Sequence, residues 1–168
     1  VERRRAETIV KKANTKRVRT EIRRVNDYRL NKQLGKGSFG TVYSVRHGRD
    51  GWAAIKVVPR SLLLRKRLGR SKSFDSLQNE IAVMRMLRHP NIVSLLEAID
   101  DPDEDYLFLV MELVPSDLSV PIKARRVVPE AQLRLWLRGI FLGLEHMHLS
   151  GITHRDIKPD NILWDAKR

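Results

Sequence analysis

The 168-residue chain contains no cysteine. Disulfide scaffolds and thiolate metal sites are therefore excluded, and a reducing interior is permitted. No run of about 18 apolar residues occurs, so no segment reads as a membrane-spanning helix. The N-terminus has no charged-then-apolar leader of the secretory kind, which makes a cytoplasmic protein the expectation. Aromatic residues are few, at 6%, and none of them alternates with basic residues as a base-stacking surface needs. Internal repeats and low-complexity tracts are also missing. What is present, 42% hydrophobic residues and nine glycines, is ordinary for a globular chain and argues against wholesale disorder. The first residue is Val1 rather than methionine, which reads as a processed start or a piece of a longer chain.

The formal net charge is +13, a balance that favours acidic partners. Its location narrows the reading. Residues 1–30 hold 11 basic and 4 acidic residues, and residues 60–72 hold six basic and none acidic. The remainder is close to neutral. A duplex-binding domain more often spreads basic residues over its folded face, so these blocks read as a tail and a loop.

Within the leader, Val18, Ile22 and Val25 follow a 4,3 spacing. Two readings stay open: a frayed basic tail, or one short amphipathic helix too short to be stable alone. From Tyr28 onward the texture changes. Tyr28–Leu34, Thr41–Arg46 and Trp52–Val58 read as three strands, with Asp50-Gly51 as a two-residue hairpin signal. Leu77, Ile81, Met84 and Leu87 fall at helical spacing over Ser73–Arg88, and His89-Pro90 ends that helix. Asn91–Ile99 and Tyr106–Leu113 read as two further strands across the acidic turn "DDPDED". The second of them is apolar enough to be covered on both faces. A helix follows over Pro129–Ser150, with Leu133, Leu137, Ile140, Leu144 and Met147 as its buried stripe and Gly151 as its stop.

Chemistry concentrates in three places. Gly35, Gly37, Gly40 and Val42 form G-x-G-x-x-G-x-V between two strands, where glycines let backbone N–H groups approach phosphate oxygens. A dinucleotide fingerprint would open a helix at the third glycine, and a Walker loop would close on Gly-Lys-Ser/Thr; neither occurs. Lys56 sits in the apolar strand "WAAIKVV", sharing a face with Ala54 while Ile55 and Val57 take the other. Such a lysine needs a carboxylate to orient it, and Glu80 on the flank of the first helix is the candidate. Finally, "HRDIKPDN" packs six chemically distinctive positions into His154–Asn161, which match H-R-D-x-K-P-x-N.

Together, and in this order, these motifs resemble the eukaryotic protein kinases, specifically the serine/threonine kinases. The resemblance runs from about Asn26 to Asp165. It implies an α+β, protein-kinase-like fold: a five-stranded antiparallel sheet with one helix over residues 27–113, and the start of a helical lobe over 114–168, behind a basic leader at 1–26. It implies ATP and Mg2+ as cofactors and a protein as substrate. Asp156 would take or orient the substrate's hydroxyl proton, Lys158 would neutralise the transferring phosphate, and Asn161 would bind magnesium. Lys56, oriented by Glu80, would hold the α and β phosphates. The loop Gly35, Lys36, Gly37, Ser38, Phe39 and Gly40 would cover them. Leu34, Val42, Ala54, Met111 and Leu163 would line the adenine slot, with the backbone of Glu112 and Val114 bonding the base. Asp117 is a candidate ribose contact. His154 and Arg155 read as scaffold, Asp160 as a solvated loop residue, and His146 and His148 as helix faces rather than metal ligands.

"HPNIV", "DDPDEDYL" and "MELV" narrow the resemblance to calcium/calmodulin-dependent protein kinase kinases and related upstream kinases that activate the AMP-activated kinase group. This implies another kinase as substrate and calmodulin as a partner. That family's basic insertion between Lys56 and Glu80 is rich in Arg and Pro, whereas here Pro59 is the only proline. The family's D-F-G magnesium aspartate and activation segment are not among these residues, so the 168 residues alone are expected to be poorly soluble and inactive. Two other classes stay open: a pseudokinase or adapter with this fold, and a nucleic-acid or acidic-surface binder acting through the basic leader and loop.

Overall fold

Alternating apolar residues punctuated by glycine build most of the sheet. The structure, a computed structural model, describes residues 9–11, 13, 15–18, 21–37, 40–49, 51–61, 75–101 and 104–165. It divides into two compact units, Val1–Arg85 with Ser94–Leu113, and Met86–Val93 with Val114–Arg168.

The first unit holds strands β1 (Ile9–Lys11), β2 (Thr15–Val18), β3 (Glu21–Val25), β4 (Tyr28–Gly37), β5 (Gly40–His47), β6 (Gly51–Pro59), β7 (Leu95–Asp100) and β8 (Tyr106–Glu112), and helix α1 (Asp75–Met86). All five strands expected from the sequence, β4 to β8, are present and pair antiparallel, but the sheet extends beyond them. Its order is β1-β7-β8-β6-β5-β4-β3-β2. The leader is thus strand, neither a tail nor a helix over its described part. Its 4,3 apolar spacing is overridden because β2 and β3 pair with each other and β3 pairs with β4, while β1 joins β7 in parallel. Residues 62–72 of the second basic block lie outside the described residues.

The period of two along the strands gives each face its own core. On one face Val25, Tyr28, Val45, Ala53, Ile55, Val57, Ile99, Phe108 and Val110 form a buried cluster. On the other, Ile81 of α1 packs with Val58, Leu95, Ala98, Leu107 and Leu109. Tyr28 also donates its hydroxyl to the Glu97 carboxylate at 2.7 Å, a buried bond between β4 and β7. Burial, then that carboxylate, pushes the phenol well above its ordinary range.

The turn between β5 and β6 differs from the expected Asp50-Gly51 hairpin. Gly51 already belongs to β6, paired with His47, and the left-handed position is Gly48 at φ 67°. Asp50 lies outside the described residues.

The acidic turn after β7 is held by Arg60, the residue that follows β6. The guanidinium pairs with the buried Asp100 carboxylate and donates to the carbonyls of Asp101 and Glu104 at 2.7 and 2.8 Å. Its own backbone N–H donates to the Asp105 carbonyl at 2.8 Å. One basic residue thus satisfies a turn that would otherwise concentrate negative charge.

The second unit holds β9 (Ser116–Asp117), helix α2 (Ser119–Lys123), helix α3 (Glu130–Leu149), a 3-10 turn (Pro159–Asn161) and β10 (Leu163–Trp164). Helix α3 stops where the sequence indicates. Gly151 adopts φ 73°, and the N–H of Ile152 returns to the Met147 carbonyl at 2.9 Å, one of the bonds of a glycine C-cap. The expected stripe is only partly covered: Met147 is buried, whereas Leu133 and Leu137 are exposed. Gly139 and Gly143 admit Asn91 against the helix, and a Cβ at Gly143 would stand 3.0 Å from the Asn91 carbonyl oxygen.

Candidate active site

In the first unit, register places the chemistry. Val42 pairs with Lys56 and Lys56 with Leu109; one step along, Ser44 pairs with Ala54 and Ala54 with Met111. Residues two apart in a strand share a face. Val42, Ala54, Lys56 and Met111 therefore line the face against which Ile81 of α1 packs, opposite the core of Ile55 and Val57. Ala54 is buried, Lys56 half-buried, and a small residue beside Lys56 leaves the face flat. Glu80 lies on α1, and its side chain is outside the described residues.

The glycine motif is the β4–β5 hairpin, with Gly37 paired to Gly40, Lys36 to Thr41 and Gly35 to Val42. Ser38 and Phe39, at its tip, are outside the described residues. The glycines are not equivalent. At Gly35 and Gly37 an added Cβ would meet nothing within 4 Å, so the backbone there is open to an approaching group. Gly40 instead has φ 138°, and a Cβ would stand 2.1 Å from the Val57 carbonyl oxygen. Its glycine is needed by the close approach of β5 to β6, irrespective of any ligand. Gly40→Ala should therefore destabilise the protein by about 1–3 kcal/mol from backbone strain alone, with the overlap adding to it. Gly37→Ala should be near neutral. Urea denaturation of both variants checks this, and equal midpoints would contradict it.

Leu34 is exposed at the base of this hairpin; Glu112 ends β8, where its N–H donates to the Ser94 carbonyl at 3.0 Å. Val114, assigned to the second unit, is half-buried.

In the second unit, His154–Asn161 is an irregular segment ending in the 3-10 turn. Asp156 gathers its neighbours. Lys158 Nζ lies 2.9 Å from Asp156 Oδ2, and Asn161 Nδ2 donates to the same oxygen at 2.9 Å and to the Asp156 carbonyl at 2.8 Å. The Asp156 N–H donates to His154 Nδ1 at 3.2 Å. The Lys158 bond, then the Asn161 bond, hold the carboxyl below the usual carboxylate range, with His154 adding a smaller pull. Arg155 adopts φ 63°, a left-handed conformation that a non-glycine residue holds only under constraint.

Three further residues take structural positions. Asp117 pairs with Leu163, and its carboxylate accepts the Ser119 N–H at 2.8 Å, starting α2. Asp160 is paired with Lys123 at 3.4 Å. His146 stacks on His89 with ring centroids 5.0 Å apart. No cluster of three or more metal-ligating His, Cys, Asp or Glu occurs among the described residues. The donor set still suits a hard cation that keeps water and phosphate ligands: with its nitrogen committed to Asp156, Asn161 has its amide oxygen to offer beside a carboxylate.

Arg60 was not singled out as a structural clamp by the sequence, because its partners lie 40 or more residues away. The pairing of Glu97 with Tyr28 was invisible for the same reason, at a separation of 69 residues.

Comparison with known proteins agrees with this geometry. Residues 28–168 match the protein kinase domain. A serine/threonine-protein kinase of Arabidopsis thaliana is 39% identical over 145 residues, covering 83% of this chain and 35% of that protein. A probable serine/threonine-protein kinase of Dictyostelium discoideum is 35% identical over 159 residues, covering 93% and 22%. The calcium/calmodulin-dependent protein kinase kinase of Caenorhabditis elegans is 33% identical over 157 residues, covering 83% and 29%. The chain spans about a fifth to a third of the length of these relatives. With a kinase-type hairpin, strand lysine and H-R-D-x-K-P-x-N loop in one matched stretch, the chain belongs to the protein kinase family, among the eukaryotic serine/threonine kinases.

Proposed function

We propose that the protein transfers the γ-phosphoryl group of ATP to a serine or threonine hydroxyl of a protein. The observation that carries this reading is the Lys158–Asp156–Asn161 cluster, in which one carboxylate oxygen accepts from both neighbours. Phosphoryl transfer needs positioning and charge neutralisation more than covalent chemistry. Asp156 is aligned by Asn161 and stays ionised, so it can accept the proton of the attacking hydroxyl. The hydroxyl oxygen forms a bond to the γ-phosphorus as the bond to the β–γ bridging oxygen breaks, and ADP leaves. Lys158 balances charge on the moving phosphoryl group. Asn161 would hold Mg2+, which supplies further neutralisation of the phosphate oxygens when bound.

On the first unit, Lys56, held by Glu80, takes the α and β phosphates beneath the hairpin Gly35–Gly40. Ser38 and Phe39 belong to that cover, as does Lys36. The flat face of Val42 and Ala54, with Leu34 and Met111, receives adenine, and the backbone of Glu112 bonds it; on the second unit, Leu163 and Val114 take the parts that the family resemblance gives them. The division at 27–113 and 114–168, after a leader at 1–26, follows this assignment of roles.

The finer reading is an upstream kinase, acting in the cytoplasm on another kinase and responding to calmodulin. It is supported by the motifs "HPNIV" and "DDPDEDYL" and by the name of the nematode relative. In a form that includes the D-F-G and activation segment of its family, the purified protein should move labelled γ-phosphate onto a kinase activation-segment peptide, recovered as phosphoserine or phosphothreonine, whereas residues 1–168 alone should not. ATP binding without transfer to any hydroxyl peptide would sink the catalytic reading and favour a pseudokinase. Transfer unaffected by calcium-loaded calmodulin would remove the calmodulin partner alone.

A further inference from the structure

The leader supplies strands to both ends of the sheet, although the kinase match begins only at residue 28. In the sheet order β1 and β2 stand seven strand spacings apart. At about 4.8 Å per strand a flat sheet would separate them by about 34 Å. Yet Lys11, ending β1, and Thr15, beginning β2, are four residue steps apart, which reach at most about 14 Å. A flat sheet is therefore impossible. The sheet must curl until its two ends approach each other.

Two independent contacts agree. Tyr28 on β4 and Glu97 on β7 are four spacings apart in the order, about 19 Å if flat. They are hydrogen-bonded at 2.7 Å across the inside of the curl. The buried cluster inside also draws on every strand from β3 to β8, and Ala13 and Ile22 of the leader pack against it. The leader crosses the seam of the curl: β1 takes the β7 edge, Ala13 packs on the core, and β3 takes the β4 edge.

We propose that the outer edge of β7 is a strand-accepting site, occupied in cis by Ile9–Lys11, so that the basic leader is a clasp closing the curled sheet. The site takes an extended segment in parallel, in the register Ile9 to Glu97, Val10 to Ala98 and Lys11 to Ile99. Its recognition joins main-chain hydrogen bonding at the β7 edge to the packing of Ala13 and Ile22 on the core, so the order of residues in the leader matters as well as its extended form. This inference is independent of catalysis. It concerns the face opposite Lys56, and it would stand if no phosphotransfer were found.

Successive residues of a strand direct their N–H groups to opposite sides, so one of Ile9 and Val10 donates towards β7 whichever it is. The variant Ile9→Pro/Val10→Pro therefore removes that donor while leaving the charge of the leader unchanged. Hydrogen exchange of the Leu95–Asp100 amides in the purified protein should become about fivefold to tenfold faster in this variant. A second arm removes residues 1–25 and adds them back as a synthetic peptide. The peptide should restore protection at β7, and a scrambled peptide of the same composition should not. Unchanged β7 exchange in the proline variant overturns the proposal, as does equal restoration by the scrambled peptide, which would mean attraction by charge alone. The proline variant carries the test where the shortened chain does not fold.

Discussion

Asp156→Asn is expected to lower kcat by about 10²- to 10⁴-fold, the range contributed by a positioned general base, with little change in KM for ATP. The substitution is close to isosteric. An asparagine can keep its side-chain oxygen where Asp156 Oδ2 accepts from Lys158 and Asn161, so the loop geometry has a way to persist. What is lost is basicity. The loss should appear in turnover and leave nucleotide binding and melting temperature nearly unaltered. A variant retaining activity within a few-fold of the parent would remove Asp156 from the reaction.

The same carboxyl has a pH signature. Its pKa is lowered by the Lys158 bond first and the Asn161 bond second, so the ionised base persists to lower pH than a free aspartate. A depressed pKa keeps the charged form full above the ordinary value and loses it only as pH falls through the lowered one. Activity governed by Asp156 should therefore decline on the acid side at unusually low pH. In Lys158→Met the largest cause of the shift is gone, and the acid limb of kcat/KM should move upward. An unmoved limb would show that another group sets it.

The other large effect is expected at Lys56. Lys56→Met should reduce kcat/KM for ATP by about 10²- to 10³-fold, the scale for losing one charge-stabilising donor in a reaction centre. The fold should tolerate it. Lys56 is half-buried in β6 between Val42 and Leu109, and methionine keeps an unbranched apolar stem of similar length. A melting temperature within a few degrees of the parent, with activity nearly abolished, separates a catalytic lysine from a packing one. Full activity, or unfolding in place of inactivation, would count against the assignment.

How much of this was legible beforehand depends on how local each signal is. Strands β4, β5 and β6 announce themselves because apolar alternation is broken by glycines within a few residues. Helix α3 does so through its apolar stripe and Gly151. Of the helix expected over Ser73–Arg88, residues 73 and 74 lie outside the described residues, Asp75–Met86 is helical, and the helix stops two residues before the expected end. The candidate catalytic loop is legible for a stronger reason: Asp156, Lys158 and Asn161 must meet within five residues, so their spacing is itself the geometry.

The leader shows the opposite case. Val18, Ile22 and Val25 carry helical spacing, but partner strands decide their conformation, and Ile9 pairs with a residue 88 positions away. No window along the chain contains that information. Asp117 is similar: its carboxylate starts α2 by accepting the Ser119 N–H, a role that its place near the nucleotide motifs did not disclose.

By itself the sequence determined the family, the antiparallel strands β4 to β8, and the residues that carry phosphoryl transfer in the reading proposed here, because each rests on short-range pattern or fixed spacing. Only the tertiary structure decided that the basic leader is part of the sheet, that Arg60 holds the acidic turn, and that Gly40 is glycine because of Val57. Those outcomes depend on which distant backbone groups need partners, and unsatisfied edges and buried polar groups are paired by whatever the folded chain brings near.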